Sequence, residues 1–124
     1  MPETNYEIIR DDKYGHSKLI DIPAEVAACQ HKWLNETLTR VNESVVRLGV
    51  FEGKFPWHKH NAEDEFFLVL DGELLIEVEG VETVTLGPHQ GYTVPAGVVH
   101  RTRAPRRTTL VMFEPAEAEP TGDD

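Results

Sequence analysis

One cysteine, Cys29, is all that this chain of 124 residues carries, so no intrachain disulfide can staple it. Cys29 sits among small apolar residues in AEVAACQH, a setting that predicts structural packing rather than a reactive thiol. No apolar run approaches the roughly 18 residues that a membrane-spanning helix needs. The opening segment MPETNYEIIRDDK is polar and acidic, unlike a secretory signal or an Arg-rich transit peptide, and predicts a cytoplasmic location. Basic residues are scarce and unevenly placed. The formal net charge is −10; residues 61–100 contain eight acids and no Lys or Arg, whereas residues 101–107 contain four Arg and no acid. That balance argues against nucleic acid, whose phosphates need a basic surface, and against an anionic membrane. A small-molecule ligand remains open.

What is present suits one domain with one core. Residues 1–44 form an N-terminal extension, in which Tyr6, Ile8 and Ile9 can make a short edge strand. From Asp21 the segment IPAEVAACQHKW predicts a short helix packed on the rest: Asp21 as cap, Pro23 in the first turn, Glu25 early, then an Ala-rich body. Residues 34–44 are polar and read as extended or looped. After Ser44 the style changes to short β-branched runs: 45–51, 66–70, 74–79, 82–86, 92–94, 98–102 and 108–113, most of them punctuated by Gly or Pro. Asp71-Gly72 and Glu79-Gly80 are tight-turn signals. This rhythm predicts an all-β sandwich or barrel over residues 45–114. The Pro- and acid-rich tail, 115–124, is expected to be poorly packed or draped over the surface.

Chemistry concentrates in FEGKFPWHKHNAEDEFFLVLDG, residues 51–72. If Trp57 to His60 is a strand, His58 and His60 share a face, and two imidazoles on one face begin a metal site. Glu65 follows a polar connector, and His100 in PAGVVH can close the set from a distant strand. Imidazole and carboxylate ligands together suit Fe, Mn, Ni, Zn or Cu as divalent ions. Alternation places Phe67 and Val69 on the face of Glu65, as an apolar wall beside the ion. Other polar residues read more plainly. His89 in GPHQG reads as a turn residue, His16 and His31 as structural or solvated, and Trp57 as outer-face packing or a subunit contact. Arg101, Arg103, Arg106 and Arg107 read first as a solvated run and second as an anion attractor. Arg47 holds a carboxylate or phosphate if it points inward, although Val46, Leu48 and Val50 can equally be the inward set.

These residues carry a resemblance. The chain resembles a small single-domain cupin of the mannose-6-phosphate isomerase-like group. The first cupin motif is a glycine, a His-x-His pair, a short spacer, a glutamate and a later glycine; here stand Gly53, His58-Lys59-His60, Glu65 and Gly72. The second motif ends in Pro-x-Gly and a histidine; here stand Pro95-Ala96-Gly97 and His100. Gly53 lies one residue nearer the histidines than the general pattern has it, and His89 stands where the second motif has its leading glycine. The resemblance implies a double-stranded β-helix, or jelly-roll, barrel. It further implies His58, His60, Glu65 and His100 as ligands of a divalent transition metal, Fe, Mn, Ni or Zn. Small-molecule chemistry of dioxygenase or isomerase type would follow, or else a non-catalytic binding or sensing role. An open sheet edge and an apolar outer face predict a homodimer.

Overall fold

A computed structural model describes residues 5–123. The first four residues of the N-terminal extension and Asp124 of the tail lie outside the described residues. The architecture is the all-β double-stranded β-helix barrel with one short helix. Its elements are β1 (Tyr6–Ile9), α1 (Ile22–Ala28), β2 (Trp33–Val41), β3 (Ser44–Lys54), β4 (Glu65–Asp71), β5 (Leu74–Val78), β6 (Val84–Leu86), β7 (Gly91–Val94) and β8 (His100–Pro115). The main path runs β1-β2-β3-β8-β4-β7, while β5 pairs with both β6 and β8.

Two apolar clusters hold it together. The larger lies inside the barrel and includes Trp33, Phe51, Phe67, Ile76, Leu110 and Met112. Each such fully buried side chain contributes about 1.5–3 kcal/mol of transfer free energy. The smaller, Leu34, Leu38, Leu48 and Val50, lies on the opposite face of β2 and β3. Ile22 and Val26 of α1 cover it, together with Tyr14, Ile20 and Cys29. Helix α1 starts where Asp21 Oδ1 accepts the Ala24 N–H at 3.2 Å. It stops at Ala28, short of the predicted length, because Trp33 is taken into β2.

The residues read as extended or looped after the helix are a full strand. Asn35 pairs with Gly49 and Thr37 with Arg47, so the sheet reaches well back from residue 45. The last two expected strands are one, β8, a strand of 16 residues. Its pairing with β3 shifts between Thr108 and Ala104, around Pro105, which has no N–H to give a ladder. Beyond that irregularity β8 stays on β3 at Ala104 and Arg103, while its other edge exchanges β4 for β5, through Arg103 to His100. Residues 57–60 do not form a regular strand; only an isolated bridge joins His58 to His100. In the remodelled turn, His89 has φ +68°, the left-handed conformation that a glycine would take there at less cost.

Candidate metal centre

Four predicted residues meet at one place. His58, His60, Glu65 and His100 each offer a ligand atom, and these atoms all lie within 4.8 Å of one another. Backbone pairing brings them in. His58 N–H donates to His100 C=O at 2.9 Å, and His100 N–H returns to His58 C=O at 2.8 Å. Gly97 N–H donates to His60 C=O at 2.7 Å, and Ala96 N–H to Asp64 Oδ1 at 2.9 Å. The two sequence motifs are thereby laced to each other. Glu65 is the first residue of β4, buried beside Phe67 and Val69 in a strict in-out alternation.

The ring nitrogens are oriented for ligation. His58 Nδ1 lies 2.9 Å from Pro56 C=O, and His100 Nδ1 lies 2.9 Å from Val98 C=O. A carbonyl only accepts, so each Nδ1 carries the proton and each Nε2 keeps a free lone pair. A second hydrogen bond of this kind is what orients metal-binding histidines. Glu65 Oε1 lies 3.3 Å from His60 Nε2 and 3.6 Å from His100 Nε2. Neither contact has the geometry of a hydrogen bond, so these three atoms are buried polar groups without a hydrogen-bond partner. Buried polar atoms are rarely left so, and a bound cation satisfies all three at once. The residues present therefore fit a divalent metal ion.

Electrostatics agree. Burial holds the His58 imidazole down at about 4, so it is neutral near pH 7. Burial also disfavours charge on His60, but the Glu65 carboxylate outweighs it and the net shift is upward. Burial pushes Glu65 up, yet His100, His60 and Glu114 beside it bring it far below the ordinary carboxylate range. Glu114 is the counterpart: burial first, then the Glu65 charge, push it up to about 10, against the pull of Arg47. Two carboxylates so placed do not both stay ionised in the absence of a metal.

Arg47 points inward, on the face of Trp33 and Phe51, and Leu48 and Val50 face the helix. It holds the Glu114 side chain, a buried ion pair whenever that carboxyl is ionised. It also donates to Thr37 Oγ1 at 3.2 Å and to the Ala118 carbonyl at 3.3 Å. The basic run lies elsewhere. Arg101 and Arg103 pair with Glu77, Arg106 with Glu73, and Arg107 donates to Val26, Cys29 and His31 carbonyls at the end of α1. Trp57 is half exposed, with the Arg101 guanidinium 4.8 Å from its ring centre.

A cavity opens beside His58. Trp33, Phe51, Phe55 and Phe67 wall it, with Met112 behind and Asn35 and Thr102 as polar points. Phe67 thus lines the pocket, whereas Val69 is buried in the same core without lining it. Sequence reasoning did not single out Trp33, Asn35, Thr102 or Pro120. Reading residues 33–37 as a strand would have placed Trp33, Asn35 and Thr37 on one face.

The tail is packed against this site. Pro120 lines the cavity, and Ala118 is buried. Gly122, at φ +87°, lies so near His58 that an added Cβ would come within 2.6 Å of the His58 Cβ. Asp123 N–H donates to Lys59 C=O at 2.8 Å, and its carboxylate accepts from Asn61 N–H at 2.8 Å. Residues 120–123 therefore form a strap over the loop that carries His58 and His60.

Comparison with known proteins agrees with this geometry. A family model described as a cupin domain matches residues 44–114. The uncharacterized protein YdbB of Bacillus subtilis (strain 168) is 40% identical over 103 residues, 83% of this chain and 91% of that protein. The crystal structure of a cupin-2 domain containing protein from Shewanella frigidimarina NCIMB 400 is similar at TM-score 0.73 and 28% identity. It covers 78% of this chain and 94% of that one. Hydroquinone 1,2-dioxygenase from Sphingomonas sp. TTNP3, solved with 4-hydroxybenzoate bound, has TM-score 0.73 at 18% identity. That match spans 82% of this chain and 33% of the dioxygenase, and is a likeness of fold. With its motif residues assembled around one point and the family match spanning most of the barrel, this chain belongs to the cupin family.

Proposed function

We propose that this cupin holds one divalent transition-metal ion (Fe, Mn, Ni or Zn) on His58, His60, Glu65 and His100, and acts with it as an enzyme on a small molecule. The carrying observation is the convergence of four ligand atoms in which two imidazoles already have their Nδ1 committed to a carbonyl. Such an ion supplies Lewis-acid polarisation or, as iron, redox chemistry. The chain's own residues do the rest. Pro56 and Val98 carbonyls orient two rings, and the aromatic wall keeps water from the cavity.

Among the described residues, no Asp, Glu, Lys, Cys or Tyr lines the cavity, so no separate general base stands beside a bound molecule. That favours dioxygenase-type chemistry over the proton shuttling of a sugar isomerase. The same fold carries a dioxygenase in the Sphingomonas protein, which supports the reading at the level of fold. The second reading is a non-catalytic cupin that binds a small ligand beside a structural metal; the narrow, strapped cavity favours it. Oxygen uptake by iron-loaded protein, screened with small aromatic and aliphatic substrates, separates the two. Turnover abolished in His60→Ala supports the enzyme; saturable binding with no turnover supports the binder.

We also infer a homodimer. Phe113 and Val41 are exposed, Phe113 lies 5.9 Å from the Phe66 ring, and a second copy would cover this outer face.

A further inference from the structure

We propose that the cavity beside His58 takes a small, uncharged ring with a single hydrogen-bonding group, phenol-like in size and chemistry, and that Asn35 selects it. The inference deepens the small-molecule reading above and rests on it for the site.

The wall sets the shape. Trp33 and Phe51 are stacked at 3.8 Å and 8° between planes, and Phe55 lies 5.4 Å from Trp33 in a near-parallel pose. A flat apolar molecule meets such a wall without loss, and a polyol does not. The wall also sets the charge. Among the described residues, no Lys or Arg lines the cavity, so a phosphate or carboxylate would find there no counter-charge beyond that of an ion held on His58. Arg47, the buried cation on the same strand face, is already held by Glu114, Thr37 and Ala118. The basic run 101–107 is engaged by Glu77, Glu73 and the end of α1. A sugar phosphate thus finds no cationic side chain in the cavity to grip.

Asn35 sets the polar contact. It is only 8% exposed, and its Oδ1 is fully buried with no hydrogen-bond partner. Its backbone pairs with Gly49 in the sheet, so the side-chain amide is the part left for a ligand. An amide unmet in an apolar pocket is a standing penalty that a ligand hydroxyl removes. The space is small, about 270 Å³ including the mouth with room inside for about one water, so a phenol-sized ring fits only once the wall opens. Pro120 is the wall residue that belongs to the strap. The strap is held by Asp123 and Gly122 rather than by strand pairing, so a ring enters by moving Pro120 outward.

Trp33 reports on the cavity directly. In a Trp57→Phe background, red-edge-excited indole fluorescence is titrated with phenol, toluene and glucose 6-phosphate, and metal content is measured on the same samples. Phenol is expected to quench saturably and to bind more tightly than toluene, and glucose 6-phosphate to give no saturable change. Asn35→Leu is expected to weaken phenol about tenfold or more and to leave toluene within about twofold. If Asn35→Leu does not fold, Asn35→Ala carries the same comparison, and the ligand ranking on the unmutated pocket stands by itself. Glucose 6-phosphate binding more tightly than phenol overturns the proposal. So does an equal loss of phenol and toluene in the variant, or metal-loaded protein that ignores phenol. Phenol binding in protein that takes up no transition metal on incubation with Fe, Mn, Ni and Zn salts supports the cavity assignment and rejects the metal reading instead.

Discussion

His58 and His100 each give Nδ1 to the carbonyl two residues earlier, and this small repeated device makes the site a site. Because the carbonyl can only accept, the tautomer is decided by the backbone before any ion arrives. The charge state follows from burial, with a consequence for pH. His58 titrates near 4 in the fold and near 6.5 in the unfolded chain. Between those values the unfolded chain holds the proton and the fold does not. Stability therefore falls as pH drops from 6.5 to 4, by about 3 kcal/mol for this group. Glu114 acts oppositely: its folded value, about 10, exceeds the unfolded one, so its contribution is lost as pH rises above about 4.5. The two oppose each other in metal-free protein. In metal-free Glu114→Gln, urea unfolding is expected to show stability rising from pH 4 to 6.5; a flat profile counts against the burial of His58.

His89 is a second residue-scale case. It holds φ +68° at the motif position where the family has glycine. A left-handed non-glycine residue costs about 1–2 kcal/mol, part of which glycine returns as unfolded-chain entropy. His89→Gly is expected to raise stability by up to about 1 kcal/mol, read as a higher melting temperature; a drop argues that the His89 side chain holds the turn.

At the scale of elements, the strap of residues 120–123 is the part of the molecule that local reasoning least foresees. Asp123→Ala removes the acceptor of the Asn61 N–H and Gly122→Val forces the segment off His58. Either substitution is expected to speed amide exchange at Asn61 about tenfold or more, measured by NMR, while core amides of β3 keep their rates. Unchanged protection at Asn61 would mean that the strap is not closed in solution. The candidate cluster was legible because His58, His60, Glu65 and His100 stand at motif spacings, and three imidazoles with one carboxylate so arranged could hold a divalent ion. Turns at Gly72 and Gly80 were legible for a local reason too, positive φ. The cavity wall was not, because it is assembled across β2, β3, β4 and β8, and Trp33 and Asn35 acquire a role only when paired with Phe51 and Gly49. The unity of β8 was hidden by Pro105, a local strand breaker that the sheet accommodates where β8 changes partner. The inward direction of Arg47 was hidden too, since an ion pair with Glu114 joins residues 67 positions apart.

Across the whole molecule, one chain of contacts links the strap to the centre. The Ala118 carbonyl binds Arg47, Arg47 pairs with Glu114, and Glu114 lies against Glu65. The fold thus couples its terminal segment to the carboxylate it offers an ion. Its outer surface offers the Phe113, Phe66 and Val41 patch for a second copy. Light scattering at micromolar concentration is expected to give twice the chain mass of 14.0 kDa, and Phe113→Glu to give the single mass. A monomer in both would place the interface out of consideration.

Whether His58, His60, Glu65 and His100 hold an ion is tested most directly by elemental analysis of protein purified without chelator or affinity tag. About one transition-metal ion per chain is predicted in the parent protein, with less than about a tenth of that in His60→Ala and in His100→Ala. No transition metal in folded parent protein after incubation with Fe, Mn, Ni and Zn salts, or the same metal content in parent and both variants, would contradict it.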